Sequence, residues 1–355
     1  MQDILGHIHC LMPMREAARA ACVSRAFLRS WRGRPNLIFN EDMIGLKPSA
    51  CRVNFCREID TILRNHSGIG VKIFKLDCSY IWEVDDISRY LDIWLQVAVK
   101  PGIEELTLMV RSTKTHQYNF PCSLLSDGIR NSIRYLKLRC CGLHPAPELG
   151  PLRSLTSLCL RIVSINGDEL ECLLSNSLAL EQLELIFCSD TIRLKISCAL
   201  QQLTSLRVCL CSKLTAIETK APNLSSFLFR GNTNFSLGET LQMKKMDVDC
   251  PNAVHYARTE LPSIMPNLET LVIGSPTEVY YLNLRCCSLA INTQYTSHLV
   301  YNESETWHIH CAGAQYANAA YQIPLPQEWR PFSRHMTISP WFLSLMRLLP
   351  WRLWC

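Results

Sequence analysis

Two short clusters, His7-x-His9-Cys10 and His308-x-His310-Cys311, bring imidazole and thiol groups close enough to suggest zinc chemistry. Zinc sites combine two separated ligand pairs, such as C-x2-C with H-x3–5-H, and neither cluster has a second pair at that spacing. The first cluster is expected to occupy exposed positions of a helix that also carries Ile8 and Leu11, and the second is expected to form no site. The adjacent pairs Cys140-Cys141 and Cys286-Cys287 invite disulfides, but neighbouring strand residues point to opposite faces and resist bridging. No G-x-x-x-x-G-K-[ST], G-x-G-x-x-G, H-E-x-x-H or G-x-S-x-G occurs, so the usual signatures of phosphate, dinucleotide, zinc-protease and acyl-transfer chemistry are missing. The expectation is a protein that is not an enzyme and has neither metal nor cofactor.

Bulk properties narrow the partners. Of 355 residues, 36 are Lys or Arg and 31 Asp or Glu, a net +5 that is too small to predict nucleic-acid binding without a clustered patch. Nineteen cysteines cannot all pair. The opening Met1-Gln2-Asp3-Ile4-Leu5 has no basic region ahead of an apolar core, so free thiols in the cytosol or nucleus are expected. The apolar stretch 341–355 is interrupted by Arg347, Pro350 and Arg352 and falls short of the ~20 residues of a membrane span, so no membrane association is expected.

An internal repeat must position whatever surface does the work. Ile133-x-x-Leu136-x-Leu138-x-x-Cys141-x-Leu143 fits L-x-x-L-x-L-x-x-N/C-x-L at every specified position. Further units open with Leu155, Leu158 and Leu160; Leu180, Leu183, Leu185 and Cys188; Leu203, Leu206, Val208 and Cys211; and Leu224, Phe227, Phe229 and Asn232. Weaker ones follow at Met243, Met246 and Val248 and at Leu268, Leu271 and Ile273. Five of the six gaps, 22, 25, 23, 21, 19 and 25 residues, lie in the leucine-rich-repeat range of about 20–29. Val71-x-x-Phe74-x-Leu76 and Ile103-x-x-Leu106-x-Leu108 read as earlier, divergent units. In L-x-L both leucines share one strand face, and stacking the units buries them in a continuous core. Cys141, Cys188, Cys211 and Asn232 take the turn position, where a side chain can bond neighbouring backbone.

The first 40 residues have a helical period instead. Ile4, Leu5, Ile8 and Leu11 form a stripe ended by Pro13, and the Ala- and Arg-rich stretch 14–30 reads as a second helix. That helix is expected to align Val23, Phe27 and Trp31 on one face, with Arg25, Arg29 and Arg32 on the other. Arg15, Arg19 and Arg34 complete a set of arginines read as a solvated face, and Asn36-Leu37-Ile38-Phe39 as a short extended piece.

Residues 2–45 resemble an F-box, the helical module that binds the Skp1-type adaptor of a cullin ubiquitin ligase. The resemblance rests on Asp3-Ile4-Leu5, Ile8, Leu11, Met12-Pro13, the stretch 15–21, Cys22-Val23-Ser24-Arg25 and Trp31-Arg32. With the repeats behind it, and with Ala221-Pro222-Asn223-Leu224 opening one of them, the chain resembles a plant F-box/leucine-rich-repeat protein. One departure is that a Leu-Pro pair usually precedes Asp-Ile-Leu, whereas Met1-Gln2 stands here, as in a clipped module. The resemblance implies an α/β fold: an F-box-like helical module (1–45), a linker (46–70), a horseshoe-like leucine-rich-repeat solenoid of parallel strands (71–276) and an irregular Trp-rich tail (277–355). Within that tail Val279-x-x-Leu282-x-Leu284-x-x-Cys287-x-Leu289 mimics a repeat but starts only 11 residues after Leu268, too close for a full coil.

The resemblance also implies a non-catalytic substrate receptor of an SCF-type ligase, docking its adaptor through Ile4, Leu5, Ile8, Leu11, Pro13, Val23 and Trp31. The alternative is a stand-alone binding scaffold, or a degenerate product that joins no ligase. Target capture falls to the concave face, where exposed residues of successive strands stack about 5 Å apart. Lys137, Arg139, Arg161, Glu184, Arg207 and Arg230 are the candidates, with Arg139 beside Arg161 and Arg207 beside Arg230. Paired guanidiniums favour an acidic or phosphorylated protein partner.

Overall fold

In the computed structural model of the protein the described residues are 2–40, 52–66, 70–79, 84–111, 117–147, 149–238, 241–265 and 267–274, with five short strands between 281 and 338. The chain divides into two compact units, Met1–Thr191 and Ile192–Cys355.

The first unit opens with helices α1 (Gln2–Leu11), α2 (Met14–Val23) and α3 (Arg25–Arg32). The single helix expected over 14–30 is two helices, because Ser24 is extended (φ −143°, ψ 137°) and its side chain accepts from the Ala26 N–H as the cap of α3. Val23 therefore does not share a face with Phe27 and Trp31. His9, expected on an exposed face, is fully buried. It stacks on Phe27 with ring centroids 5.6 Å apart, meets Trp31 edge-on, and donates from Nε2 to the Ala17 carbonyl at 2.9 Å. Arg34 leaves the solvated set too, being 5% exposed. Its guanidinium donates to the carbonyls of His9 (2.9 Å), Cys10 (3.1 Å), Met12 (2.6 Å) and Asn36 (3.1 Å), the first of which lie at the end of α1 where helical carbonyls lack partners.

Strand β1 (Asn36–Phe39) pairs in parallel with β2 (Ile73–Asp77), so the extended piece after the helices is the first rung of the sheet. On the side away from β2, the Ile38 N–H donates to Met14 Sδ at 3.2 Å and the Asn36 carbonyl is taken by Arg34. The stretch expected as a linker contains helix α4 (Arg52–Asn65), which buries Phe55, Ile59 and Leu63 at i, i+4 and i+8. Its His66 neighbour donates a ring N–H to the Arg34 carbonyl at 3.0 Å. Helix α5 (Val84–Ala98) buries Leu91, Trp94 and Leu95, and Trp94 Nε1 donates to Asp60 of α4 at 2.8 Å.

The sheet continues in parallel through β3 (Glu105–Met109), β5 (Tyr135–Arg139), β7 (Ser157–Arg161) and β8 (Gln182–Ile186), all in residue-for-residue register. Between them β4 (Tyr118–Phe120) and β6 (Cys141–Leu143) form a short second ladder, and helices α6 (Asp127–Arg130) and α7 (Gly167–Ser175) supply crossovers that parallel strands require. Asn166 and Glu169 close a capping box at the start of α7. The expected L-x-L positions Leu136, Leu138, Leu158, Leu160, Leu183 and Leu185 are at most 1% exposed, so truncating any one of them to Ala removes about 2–5 kcal/mol. After β5, β7 and β8 the chain turns through one left-handed residue, Cys140 (φ 58°), Ile162 (φ 55°) and Phe187 (φ 54°). The Cys188 thiol then donates to backbone carbonyls, as the turn position requires.

In the second unit β10 (Ser205–Cys209), β12 (Ser226–Arg230), β14 (Lys245–Asp249) and β15 (Thr270–Gly274) are parallel and in register. A second ladder joins β9 (Arg193–Ile196), β11 (Ala216–Thr219) and β13 (Asn234–Ser236). Asn232 is exposed and does not serve as the turn residue; its neighbour Thr233 is buried and donates its hydroxyl to the Leu214 carbonyl. Phe235 packs against Phe227, Phe229 and Tyr256, the last from helix α8 (Ala253–Thr259), which α9 (Leu261–Ile264) follows. The parallel order ends at β15, whose next partner, Leu299–Asn302, is antiparallel. The repeat mimic is an antiparallel pair, Tyr281–Leu284 with Cys287–Ala290, apart from the array. Most of the tail 277–355 lies outside the described residues.

Candidate functional site

The N-terminal helices present an apolar face to solvent. Because His9 points inward against Phe27 and Trp31, the i, i+4, i+7 stripe of α1 points outward: Ile4 is 64% exposed, Ile8 47% and Leu11 73%. Val23 is 85% exposed at the end of α2, and Pro13 lies exposed between α1 and α2. Trp31 is half-buried and divides its surface between His9 and solvent. The Leu5 side chain lies outside the described residues. Among the described residues, four of the seven expected adaptor contacts are thus large apolar side chains with little of their own chain to cover them.

On the sheet's solvent face in the first unit, the register builds three rows. The central row reads Ile38, Lys75, Thr107, Lys137, Cys159 and Glu184. Flanking it, Asp77, Met109, Arg139, Arg161 and Ile186 stack on one side, and Ile73, Glu105, Tyr135, Ser157 and Gln182 on the other. Arg139 and Arg161 are register neighbours, as expected. Cys159 and Ile186 of these rows are only 6% and 8% exposed.

The basic row is neutralised where it was expected to be strongest. Arg161 Nε stands 3.7 Å from Glu184 Oε1, a half-exposed pair worth at most about 1 kcal/mol that places a carboxylate beside the guanidinium. In the second unit Arg230 is held by Asp247 at 3.1 Å and Asp249 at 3.5 Å, both from the neighbouring β14. Arg207 does not face Arg230: its register partner is Leu228, and that of Arg230 is the buried Cys209. Arg207 and Arg230 are offset by two residues along adjacent strands, so they lie on a diagonal and not side by side as expected. Lys137 and Arg139 differ, in that neither makes an ion pair among the described residues.

The face dips at its N-terminal end into a hollow of about 410 Å3 bordered by Ile38, Lys75, Glu105, Met109, Tyr135 and Lys137. Thr107, small and 5% exposed, forms its floor, with the longer side chains of Lys75 and Lys137 on either side in the same row. Lys75 Nζ pairs with Glu105 Oε2 at 2.9 Å. Burial, and after it the neighbouring Cys159, Glu184 and Glu105, push the Tyr135 hydroxyl up, so it remains a neutral donor. Burial and Glu184 likewise raise the Cys159 thiol to about 11. Except for Lys137, these hollow residues are absent from the expected set, because the rows were read only from the regular repeats onward. The divergent units beginning at Val71 and Ile103 carry Lys75, Glu105 and Met109, Ile38 belongs to β1 ahead of them, and Tyr135 sits just before the first leucine of its strand.

No group of three His, Cys, Asp or Glu residues suited to a metal ion occurs among the described residues, and none of their helices is long and apolar enough to cross a membrane.

Residues 62–292 match the leucine-rich-repeat domain described as At1g61320/AtMIF1, LRR domain. The chain is also similar to F-box/LRR-repeat protein At5g02910 of Arabidopsis thaliana, 24% identical over 196 residues. That alignment covers 55% of this chain and 39% of the relative, so the chain spans about two fifths of the length of the curated relative it matches. The matched domain takes in most of the strands and turns described above, and the chain belongs to the At1g61320/AtMIF1 leucine-rich-repeat family.

Proposed function

We propose that the protein is a non-catalytic substrate receptor of an SCF-type ubiquitin ligase. The family and the relative's name point to a protein-interaction or F-box role, and the finer reading rests on the N-terminal surface. Ile4, Ile8 and Leu11 of α1 and Val23 of α2 lie exposed on two helices whose inner face is already filled by His9, Ala17 and Ala21. Burying such side chains against a partner is favourable by about 1.5–3 kcal/mol each when complete, which supplies the driving force for docking an Skp1-type adaptor. The strand face is then left to hold a protein target, and Arg34 fastens the helices to the first strand, so that adaptor and target are held in one frame. The work of such a receptor is presentation, and it is done in the cytosol or nucleus where the ligase resides.

Co-expression of the full chain with an Skp1-type adaptor tests the reading. Stable co-purification, lost when Ile8 and Leu11 are both replaced by Asp, is the expected result. A well-folded chain that never retains the adaptor would end the ligase assignment and leave a stand-alone binding scaffold.

A further inference from the structure

The walls of the hollow over Thr107 bound the chemistry of anything that enters it. Its donors converge: Lys75 and Lys137 stand two rungs apart, about 10 Å between backbones, with Tyr135 beside Lys137 on the same strand. A ligand entering there meets ammonium and hydroxyl donors, so it must offer acceptors. Its charge is bounded as well. Lys75 and Lys137 are balanced by Glu105 and Asp77, two cations against two carboxylates, and Lys75 is already committed to Glu105. Asp77 is turned toward Ser79, accepting from its N–H at 2.9 Å and from its hydroxyl at 2.5 Å. These hydrogen bonds leave Asp77 charged, so the hollow itself is neutral, and the excess of one cation on this part of the face comes from Arg139, just outside the hollow beside Lys137 on the same strand face. A singly charged carboxylate fits this balance, whereas a dianionic phosphate would face Glu105 and Asp77 with too little compensation. Beyond Lys75 in the same row stands Ile38, 41% exposed, and in the flanking row, two residues past Thr107 on β3, stands Met109, whose flexible thioether adapts to varied shapes.

We infer that this hollow is the primary subsite for the target, taking one carboxylate that an extended segment carries next to an apolar side chain, with Lys137 as its counter-ion and Ile38 and Met109 as the apolar wall. The inference rests on the reading of the strand face as the target surface. It places the centre of recognition on β1 to β5, around Lys137, and away from the arginines of β7 and β12.

The test is an array of short peptides in which a central Glu beside Leu or Phe is exchanged for Gln, phosphoserine or Lys, with a further set ending in a free carboxylate or an amide. The array is probed with the purified full chain and with Lys137→Met, Lys137→Arg and Arg161→Met, each first shown by circular dichroism to be folded. The expected result is a preference of about tenfold for Glu over Gln, lost in Lys137→Met and retained in Lys137→Arg and Arg161→Met. The terminal set decides whether the carboxylate is internal or a chain end. A preference unaffected by Lys137→Met, a higher rank for phosphoserine, or no peptide retained by the native chain would each overturn the inference. Adaptor co-purification involves none of these residues, so a chain that keeps its adaptor but shows no Lys137-dependent preference loses this subsite and not the proposed function.

Discussion

The Arg34 guanidinium donates to the His9 carbonyl at 2.9 Å across 25 residues of sequence, tying the last turn of α1 to the residue that leads into the first strand. No carboxylate answers this buried cation in the bonds that hold it; carbonyl dipoles do, and burial lowers its pKa from the ordinary arginine value. Hydrogen bonds to a charged group contribute about 1.5–3 kcal/mol each in favourable cases, and all of them here belong to one guanidinium whose burial costs part of the gain, so Arg34→Leu should remove about 2–4 kcal/mol in urea unfolding. Arg34→Lys should recover only part of it, since one ammonium cannot reach carbonyls spread around a planar fork.

The left-handed turn residues give a prediction of the opposite sign. Ile162 has φ 55° and is 41% exposed, so a β-branched side chain holds a conformation that disfavours it while gaining only partial burial. The left-handed region costs an ordinary residue roughly 1–2 kcal/mol, and Asn tolerates it. Ile162→Asn should raise stability by about 0.5–1 kcal/mol, the lost apolar contact offsetting the rest. A lower denaturation midpoint would show that the side chain matters more than its backbone.

Exposure and burial separate two effects on the N-terminal face. Ile8→Asp and Leu11→Asp change side chains that are 47% and 73% exposed, so they should abolish adaptor binding while moving the melting temperature little. Trp31 packs on His9, and Trp31→Ala should reduce both binding and stability, the latter by up to about 3 kcal/mol since the ring is only half-buried. Co-purification and thermal melts of the same three variants read the difference.

Thiol chemistry should follow burial. Burial raises Cys141 to about 12 and Cys159 to about 11, so at pH 8 each is almost wholly protonated and its reactive thiolate grows only as pH approaches those values. Exposed Cys22 and Cys198 should be alkylated first, with Cys141 and Cys159 labelled only on unfolding or in strong alkali. Mass spectrometry of a pH series of labelling reactions checks the order.

The repeats were legible because x-L-x-L-x enforces alternation: the leucines have one place to go, and the register of every parallel pair follows from aligning them. The break at Ser24 could have been found, since Ser heads a list of preferred caps, but an Ala- and Arg-rich stretch without Gly or Pro masks a single capping residue. His9 and Arg34 could not be assigned from one-dimensional patterning, because their partners are backbone atoms 8 to 25 residues away. The same limit applied to Arg161 and Arg230. Their positions on the strand face follow from the repeat, whereas their neutralisation depends on Glu184, Asp247 and Asp249 in the adjacent rungs.

The sulfur of Met14 against the Ile38 N–H, with Arg34 on the Asn36 carbonyl, does more than complete hydrogen bonds. A row of bare amides and carbonyls along an outermost strand is a template for a second sheet, and proteins suppress such self-association by covering the row. Here the covering belongs to the helices proposed to grip the adaptor. Cutting the chain just before Asn36 should therefore yield repeats that template their own aggregation, so the protein's solubility and its proposed docking module come as one piece.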